Sequence, residues 1–179
     1  HNYEAHEKLF RLLVGSWREN WNDPDLPFYY VQLSSIDRPS WPWFRDSQRR
    51  LMDAIPHTGM AVSSDYGDSL DVHPKNKRPI GERLAHWALN RTYDKKQVVP
   101  SGPLFRSVDF REDAAYVSFD YADGLHTADG RPIREFEIAE TEGVYYPAKA
   151  EVVGNQVKVY SDRVKHPCHV RYAWRPFTR

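Results

Sequence analysis

A chain of 179 residues has room for one ordinary domain or two small ones, each with a useful core. Its 25 basic and 25 acidic residues cancel, which argues against a general nucleic-acid or membrane-surface role, because those functions use a basic excess. No apolar run approaches the ~20 residues of a membrane-spanning helix, and the single cysteine, Cys168, excludes an intrachain disulfide.

The chain opens on His1 rather than Met and runs almost at once into a helical pattern, so a piece of a longer polypeptide is expected. Residues 4–21 are predicted as a helix: Leu9, Leu13, Trp17 and Trp21 recur every four residues, with Phe10 and Val14 beside them. Asn22-Asp23-Pro24-Asp25 ends it. Residues 28–33 form a nearly continuous apolar and aromatic run, the pattern of a strand covered on both faces. A loop over 39–42, a helix over 43–55, a second buried strand over 58–64 and a helix over 79–93 follow. The order helix, strand, helix, strand, loop, helix predicts an α/β layer fold with a parallel sheet.

From about residue 98 the character changes. The segments 115–121, 136–139, 148–153, 156–160 and 169–174 are short, β-branched and aromatic, and turn signals separate them. Gly154-Asn155 joins two of them as a two-residue hairpin. This half is predicted as an antiparallel, sandwich-like β unit. The Pro- and Gly-rich stretch 98–103 marks the boundary, giving a first domain over 1–97 and a second over 98–179.

One motif carries chemistry. Asp71-Val72-His73-Pro74 sets a carboxylate two residues from an imidazole, in a loop after a strand and before a helix. An Asp can orient a His that acts as a general base at neutral pH, and open α/β sheets place their sites at the carboxyl ends of strands. His166-Pro167-Cys168-His169 lacks a third ligand at metal spacing, and no metal site is expected. The 6 Trp and 11 Tyr could stack on sugar rings or simply fill cores.

The sequence around that motif resembles the sialate O-acetylesterase family, SGNH-type carbohydrate esterases. Ser63-Ser64-Asp65-Tyr66-Gly67-Asp68, then Asp71-Val72-His73-Pro74-Lys75-Asn76-Lys77, then Gly81-Glu82-Arg83-Leu84-Ala85 are similar to its last catalytic block. Phe28-Tyr29-Tyr30-Val31-Gln32-Leu33, Arg45-Asp46-Ser47-Gln48, Thr58-Gly59-Met60-Ala61-Val62, Ser101-Gly102-Pro103-Leu104 and Val170-Arg171-Tyr172-Ala173-Trp174 resemble further stretches, in the family's order. The resemblance implies the C-terminal part of an SGNH/flavodoxin-like three-layer parallel-sheet domain, followed by the antiparallel β unit. It also implies an exported location, whether periplasmic, secreted or lysosomal.

The resemblance makes His73 the general base and Asp71 its orienting carboxylate, with Asp68 the second candidate for that task. The usual SGNH pattern has its Asp three residues before the His, where this chain has Leu70. The family's nucleophile lies in a Gly-Gln-Ser-Asn segment and an oxyanion donor in a Gly-Glu-Ser-Asn segment, and neither occurs here. His1-Asn2-Tyr3 looks like what directly follows the second of these, and the family's last stretch is missing after Arg179. The expected partner is therefore the N-terminal part of the same protein, carrying the nucleophilic Ser and the oxyanion residues; without it the chain is expected to be inactive. The substrate implied is an O-acetylated sugar, O-acetylated sialic acid first, with no cofactor. Acetylxylan or pectin-type esters, and a non-catalytic carbohydrate-binding module, are the alternatives.

Four more residues are candidates for substrate contact. Gln32 could line a sugar pocket or tie a loop. Arg45 could meet a carboxylate or cap a helix. Trp41 and Trp43, flanking Pro42, could be sugar platforms or a hydrophobic plug. Lys75, Lys77 and Arg78 beside the His could attract an acidic sugar or form a solvated helix entrance.

Overall fold

The computed structural model describes residues 2–178 and divides into two units. The first holds the residues up to Ser101 together with those from Arg175 onward, and the second is Gly102–Trp174. The division falls at Ser101 rather than after residue 97, and the tail groups with the first unit instead of the β unit. His1 and Arg179, on which the sequence reading rests its two trimmed ends, lie outside the described residues.

The first unit runs α1 (Tyr3–Trp21), β1 (Phe28–Val31), α2 (Trp41–Ala54), β2 (Thr58–Ala61), a 3-10 turn at Ser64–Tyr66, and α3 (Arg78–Arg91). β1 and β2 pair in parallel, from Phe28 opposite Thr58 to Val31 opposite Ala61. Asn22 ends α1 in the left-handed region (φ 51°), its N–H returning to the carbonyls of Arg18 and Glu19; asparagine tolerates that conformation better than most side chains. α2 begins at Trp41, so the expected loop over 39–42 is corrected: Pro42 sits in the helix's first turn, where its missing N–H costs no intrahelical bond.

Val14 of α1 packs with Leu51 of α2 and Ile55, the residue that ends it, against Phe10 and Phe28. The Phe10 ring lies edge-on to Tyr30 at 4.8 Å between centroids. The four-residue repeat expected to face inward does not: Leu9 is 66% exposed, Leu13 45%, Trp17 49% and Trp21 69%. On the other side of the strands, Trp87 of α3 is buried and its indole N–H donates to the Met60 carbonyl at 2.9 Å. Gly59 makes this approach possible, because a Cβ there would lie 2.6 Å from the Trp87 ring.

The second unit contains β3 (Leu104–Arg111), β4 (Ala114–Asp120), β5 (Phe136–Ala139), β6 (Tyr146–Pro147), β7 (Lys149–Val153), β8 (Gln156–Tyr160) and β9 (His169–Tyr172). They form two antiparallel sheets, ordered β3-β4-β8-β7 and β6-β5-β9. β3 was not anticipated: a bulge between Phe105 and Ser107 interrupts the alternation that would announce it. The β7–β8 hairpin turns at Gly154, whose φ of 61° suits glycine. Both sheets contribute to one core of Ala115, Val117, Phe136, Ile138, Ala150, Val157, Val159 and Val164.

Candidate active site

Where β1 and β2 end, the chain enters two neighbouring loops, residues 32–38 and 62–77. Ser34 Oγ donates to the Val72 carbonyl at 3.2 Å and the Asp37 N–H to the Ser69 carbonyl at 3.1 Å. Gly67 lies against Ser35 so closely that a Cβ would stand 2.4 Å from the Ser35 carbonyl oxygen. The tail returns here as well: Ser35 Oγ donates to the Thr178 carbonyl at 2.6 Å, and the Ile36 N–H to the Pro176 carbonyl at 3.3 Å.

Within the second loop, two short carboxylates each fold the backbone over themselves. Asp68 Oδ1 accepts from the Leu70 N–H at 2.9 Å, and Asp71 Oδ1 accepts from the His73 N–H at 2.9 Å. The second turn also brings His73 Nδ1 to 3.2 Å from the same Asp71 oxygen. An ionised carboxylate can only accept, so this contact needs the proton on Nδ1, and a neutral ring then has its lone pair on Nε2. Asp71, not Asp68, is thus the carboxylate bonded to the ring. His73 is 82% exposed. The His73 backbone N–H holds the Asp71 carboxyl below the ordinary carboxylate range; the His73 ring and Lys75 add to this, while partial desolvation opposes it.

α3 fixes the start of this loop. Arg83 forks onto Asp65 with contacts of 2.7 and 2.6 Å and donates to the Val62 carbonyl at 2.7 Å, the two-pronged geometry guanidinium favours. Of the basic run, Lys77 Nζ donates to the Pro74 carbonyl at 2.8 Å and Arg78 pairs with Glu82 at 2.8 Å.

The other candidates lie in the β1 loop and the first turns of α2, where their side chains are engaged. Gln32 Nε2 donates to the Arg45 carbonyl at 2.9 Å. Arg45 is buried; its guanidinium donates to Ser35 Oγ at 3.3 Å and to the Arg175 carbonyl. Burial pushes its pKa down, yet arginine stays charged. Trp41 Nε1 donates to the Ser34 carbonyl at 2.7 Å. Trp43 is half-buried in the first turn of α2, not in a loop.

Sequence reasoning missed the frame around the pair. Ser34, Ser35 and Ser63 are buried hydroxyls that bond backbone carbonyls, Ser63 at 2.7 Å from the Gln32 carbonyl. Nothing in their spacing announces this. Gly67 and Arg83 stood inside recognised motifs, and the signal available was their place in those blocks. Chemically, the loop can accept a proton at His73 Nε2 and steady the resulting imidazolium with Asp71.

No protein-family model matches the chain. It is similar to the sialate O-acetylesterase of Rattus norvegicus, 22% identical over 199 residues, covering 97% of this chain and 37% of that protein. The Homo sapiens sialate O-acetylesterase is 24% identical over 200 residues, covering 97% of this chain and 38% of that protein. The chain spans 26–38% of the length of the curated relatives it matches. In three dimensions it matches a carbohydrate acetylesterase from Xanthomonas citri with a TM-score of 0.87 and 34% identity, over 98% of this chain and 41% of that one. By sequence the chain is similar to the C-terminal portion of sialate O-acetylesterases, and by fold to a carbohydrate acetylesterase.

Proposed function

We propose that this chain contributes the His–Asp half of a site that hydrolyses O-acetyl esters on sugars, O-acetylated sialic acid first among them. The observation that carries the reading is the Asp71–His73 Nδ1 bond, with Nε2 open, at the carboxyl ends of two parallel strands. The names of the curated relatives support the substrate. The parallel strands with helices packed on them support an SGNH/flavodoxin-like catalytic layer.

In this mechanism the nucleophilic Ser comes from the N-terminal part of the same protein. Its Oγ attacks the acetyl carbonyl while His73 Nε2 takes the hydroxyl proton. Asp71 holds the imidazole in the tautomer that allows this. Backbone amides and an upstream Asn hold the developing oxyanion. The C–O bond to the sugar then breaks, and His73 returns the proton to the leaving oxygen. Water, deprotonated by the same Nε2, attacks the acetyl-enzyme; the Ser–acetyl C–O bond breaks, acetate leaves, and His73 returns the proton to the Ser Oγ. Arg45 and Gln32 serve by fixing the β1 loop, and Trp41 and Trp43 border it. An exported compartment is the one this reading implies.

The test joins the chain to that N-terminal part. Alone, the chain releases no acetate from p-nitrophenyl acetate. Joined, it does, and His73→Ala lowers kcat by about 10⁴-fold. Turnover near wild type in that variant removes the assignment. Acetate release from O-acetylsialate against acetylxylan decides between the two substrate classes. Sugar affinity without turnover, indifferent to His73→Ala, would instead mean a binding module.

A further inference from the structure

We infer that Ser34, itself held by Trp41, is a positioning residue for the Asp71–His73 pair: its buried hydroxyl fixes the peptide unit through which the Asp71 carboxylate grips the backbone beneath the His73 ring. This rests on the esterase reading above and deepens it by naming what holds the candidate base in place.

The peptide between Val72 and His73 supplies the geometry. A trans peptide is planar, so its carbonyl and its N–H point to opposite sides and cannot turn independently. The Val72 carbonyl accepts from Ser34 Oγ at 3.2 Å, and the His73 N–H donates to Asp71 Oδ1 at 2.9 Å. The same Asp71 oxygen lies 3.2 Å from His73 Nδ1. Rotating this peptide therefore takes the backbone donor from the carboxylate and shifts the oxygen that faces the ring. Asp71 belongs to the same loop and travels with it, so it cannot hold the peptide against the rest of the unit. Ser34 can, because it comes from the other loop. Among the described residues, no other group outside residues 62–77 bonds this peptide.

Ser34 is itself fixed. It is 5% exposed, so its hydroxyl has little water to turn to, and a buried hydroxyl without an acceptor is costly. Its carbonyl accepts from Trp41 Nε1 at 2.7 Å, and Trp41 opens α2. A line of contacts thus runs from a helix, through Trp41 and Ser34, to the Val72–His73 peptide and Asp71. The ring at its end is 82% exposed. Packing orients so exposed a side chain little, which leaves the task to hydrogen bonds whose own partners are locked.

NMR reads the pair in the 179-residue chain itself, through a carbon-detected titration of the Asp71 carboxyl and the nitrogen shifts of the His73 ring. In Ser34→Ala the Asp71 midpoint should rise toward that of an ordinary aspartate, because the backbone donor that depresses it is no longer aimed. The Nδ1 and Nε2 shifts should draw together as the ring samples both tautomers. Trp41→Phe keeps a ring and removes the N–H; it should move both signals the same way, and less. Thr58→Val is the control. Its hydroxyl bonds the Met52 and Ile55 carbonyls at the start of β2, the end away from the pair, so both signals should stay put. In the chain joined to the N-terminal part, Ser34→Ala should lower kcat about 10-fold with KM unchanged, within the ~10²-fold that a misplacement of about 1 Å can cost.

Unmoved Asp71 and His73 signals in a folded Ser34→Ala variant overturn the inference. So does an equal shift in Thr58→Val, which would mean general loosening. If Ser34→Ala does not fold, Trp41→Phe decides alone; if neither folds, the two residues hold the unit rather than the pair, and the inference falls. The spectra are read apart from catalysis. Shifted signals with no acetate released by the joined protein sink the esterase reading alone, whereas Ser34→Ala turnover at the unaltered kcat sinks this inference alone.

Discussion

The second unit closes on itself and the first does not. Two antiparallel sheets bury eight residues in one shared core, Ile138 and Val159 fully. In the first unit the helix–helix core consists of Val14, Leu51 and Ile55, while α1 keeps leucines and tryptophans in water. The candidate chemistry sits on the open unit. The difference teaches that a β unit can satisfy its own ladders locally, whereas a parallel layer depends on strands brought from distant chain.

The widest test of this contrast pairs two truncations of apolar side chains. Ile138→Ala empties a fully buried position and should cost about 2–5 kcal/mol. Leu9→Ala, at a position 66% exposed, should change stability by under about 0.5 kcal/mol. Chemical denaturation of both variants reads the pair, and similar losses would break the contrast. Within the first unit, the loops are better secured than the helix. Arg45→Met removes the donor that ties Ser35 to the returning tail. A loss of about 2–3 kcal/mol is expected, in line with hydrogen bonds from a charged donor. Gly67→Ala is smaller, about 1–3 kcal/mol by overpacking. Its φ of −72° suits alanine, so the whole effect comes from the clash with Ser35 backbone. A variant of unchanged stability would mean that the two loops move apart freely.

Much of this was legible in the sequence. The three helices and both parallel strands follow from periodicity and continuous apolar runs. So does the β7–β8 hairpin, from its turn residues. The Asp71–His73 pair was legible because both partners lie within one turn, where local geometry decides. What escaped depends on distant chain. The flank of α1 that is buried is chosen by where α2 and Phe28 arrive, not by the four-residue repeat of Leu9, Leu13, Trp17 and Trp21. Arg45 and Gln32 look like ligand contacts in sequence. In the fold Gln32 is held by the Arg45 carbonyl and Arg45 by Ser35 and Arg175, and the Arg45–Arg175 bond joins residues 130 positions apart. β3 escaped because a bulge hides its period.

The smallest effect is the most local, and it concerns the acid limb of the candidate pair. The folded-state pKa of Asp71 is depressed, so its contribution to stability is complete above the unfolded carboxylate value of about 3.9 and is lost as pH falls through the folded value. The main cause is the His73 backbone N–H, ahead of the ring. That ranking has a consequence that carbon-detected NMR titration of the Asp71 carboxyl can read. In the unaltered chain the midpoint should fall below that of an ordinary aspartate. In His73→Ala the ring's hydrogen bond and charge are gone but the backbone N–H stays, so the midpoint should rise only part of the way back. A full return to the ordinary value would mean that the imidazole, not the turn, holds the carboxylate. The pair would then owe its geometry to the side chains alone, and an open loop could not keep Asp71 oriented before the rest of the site arrives.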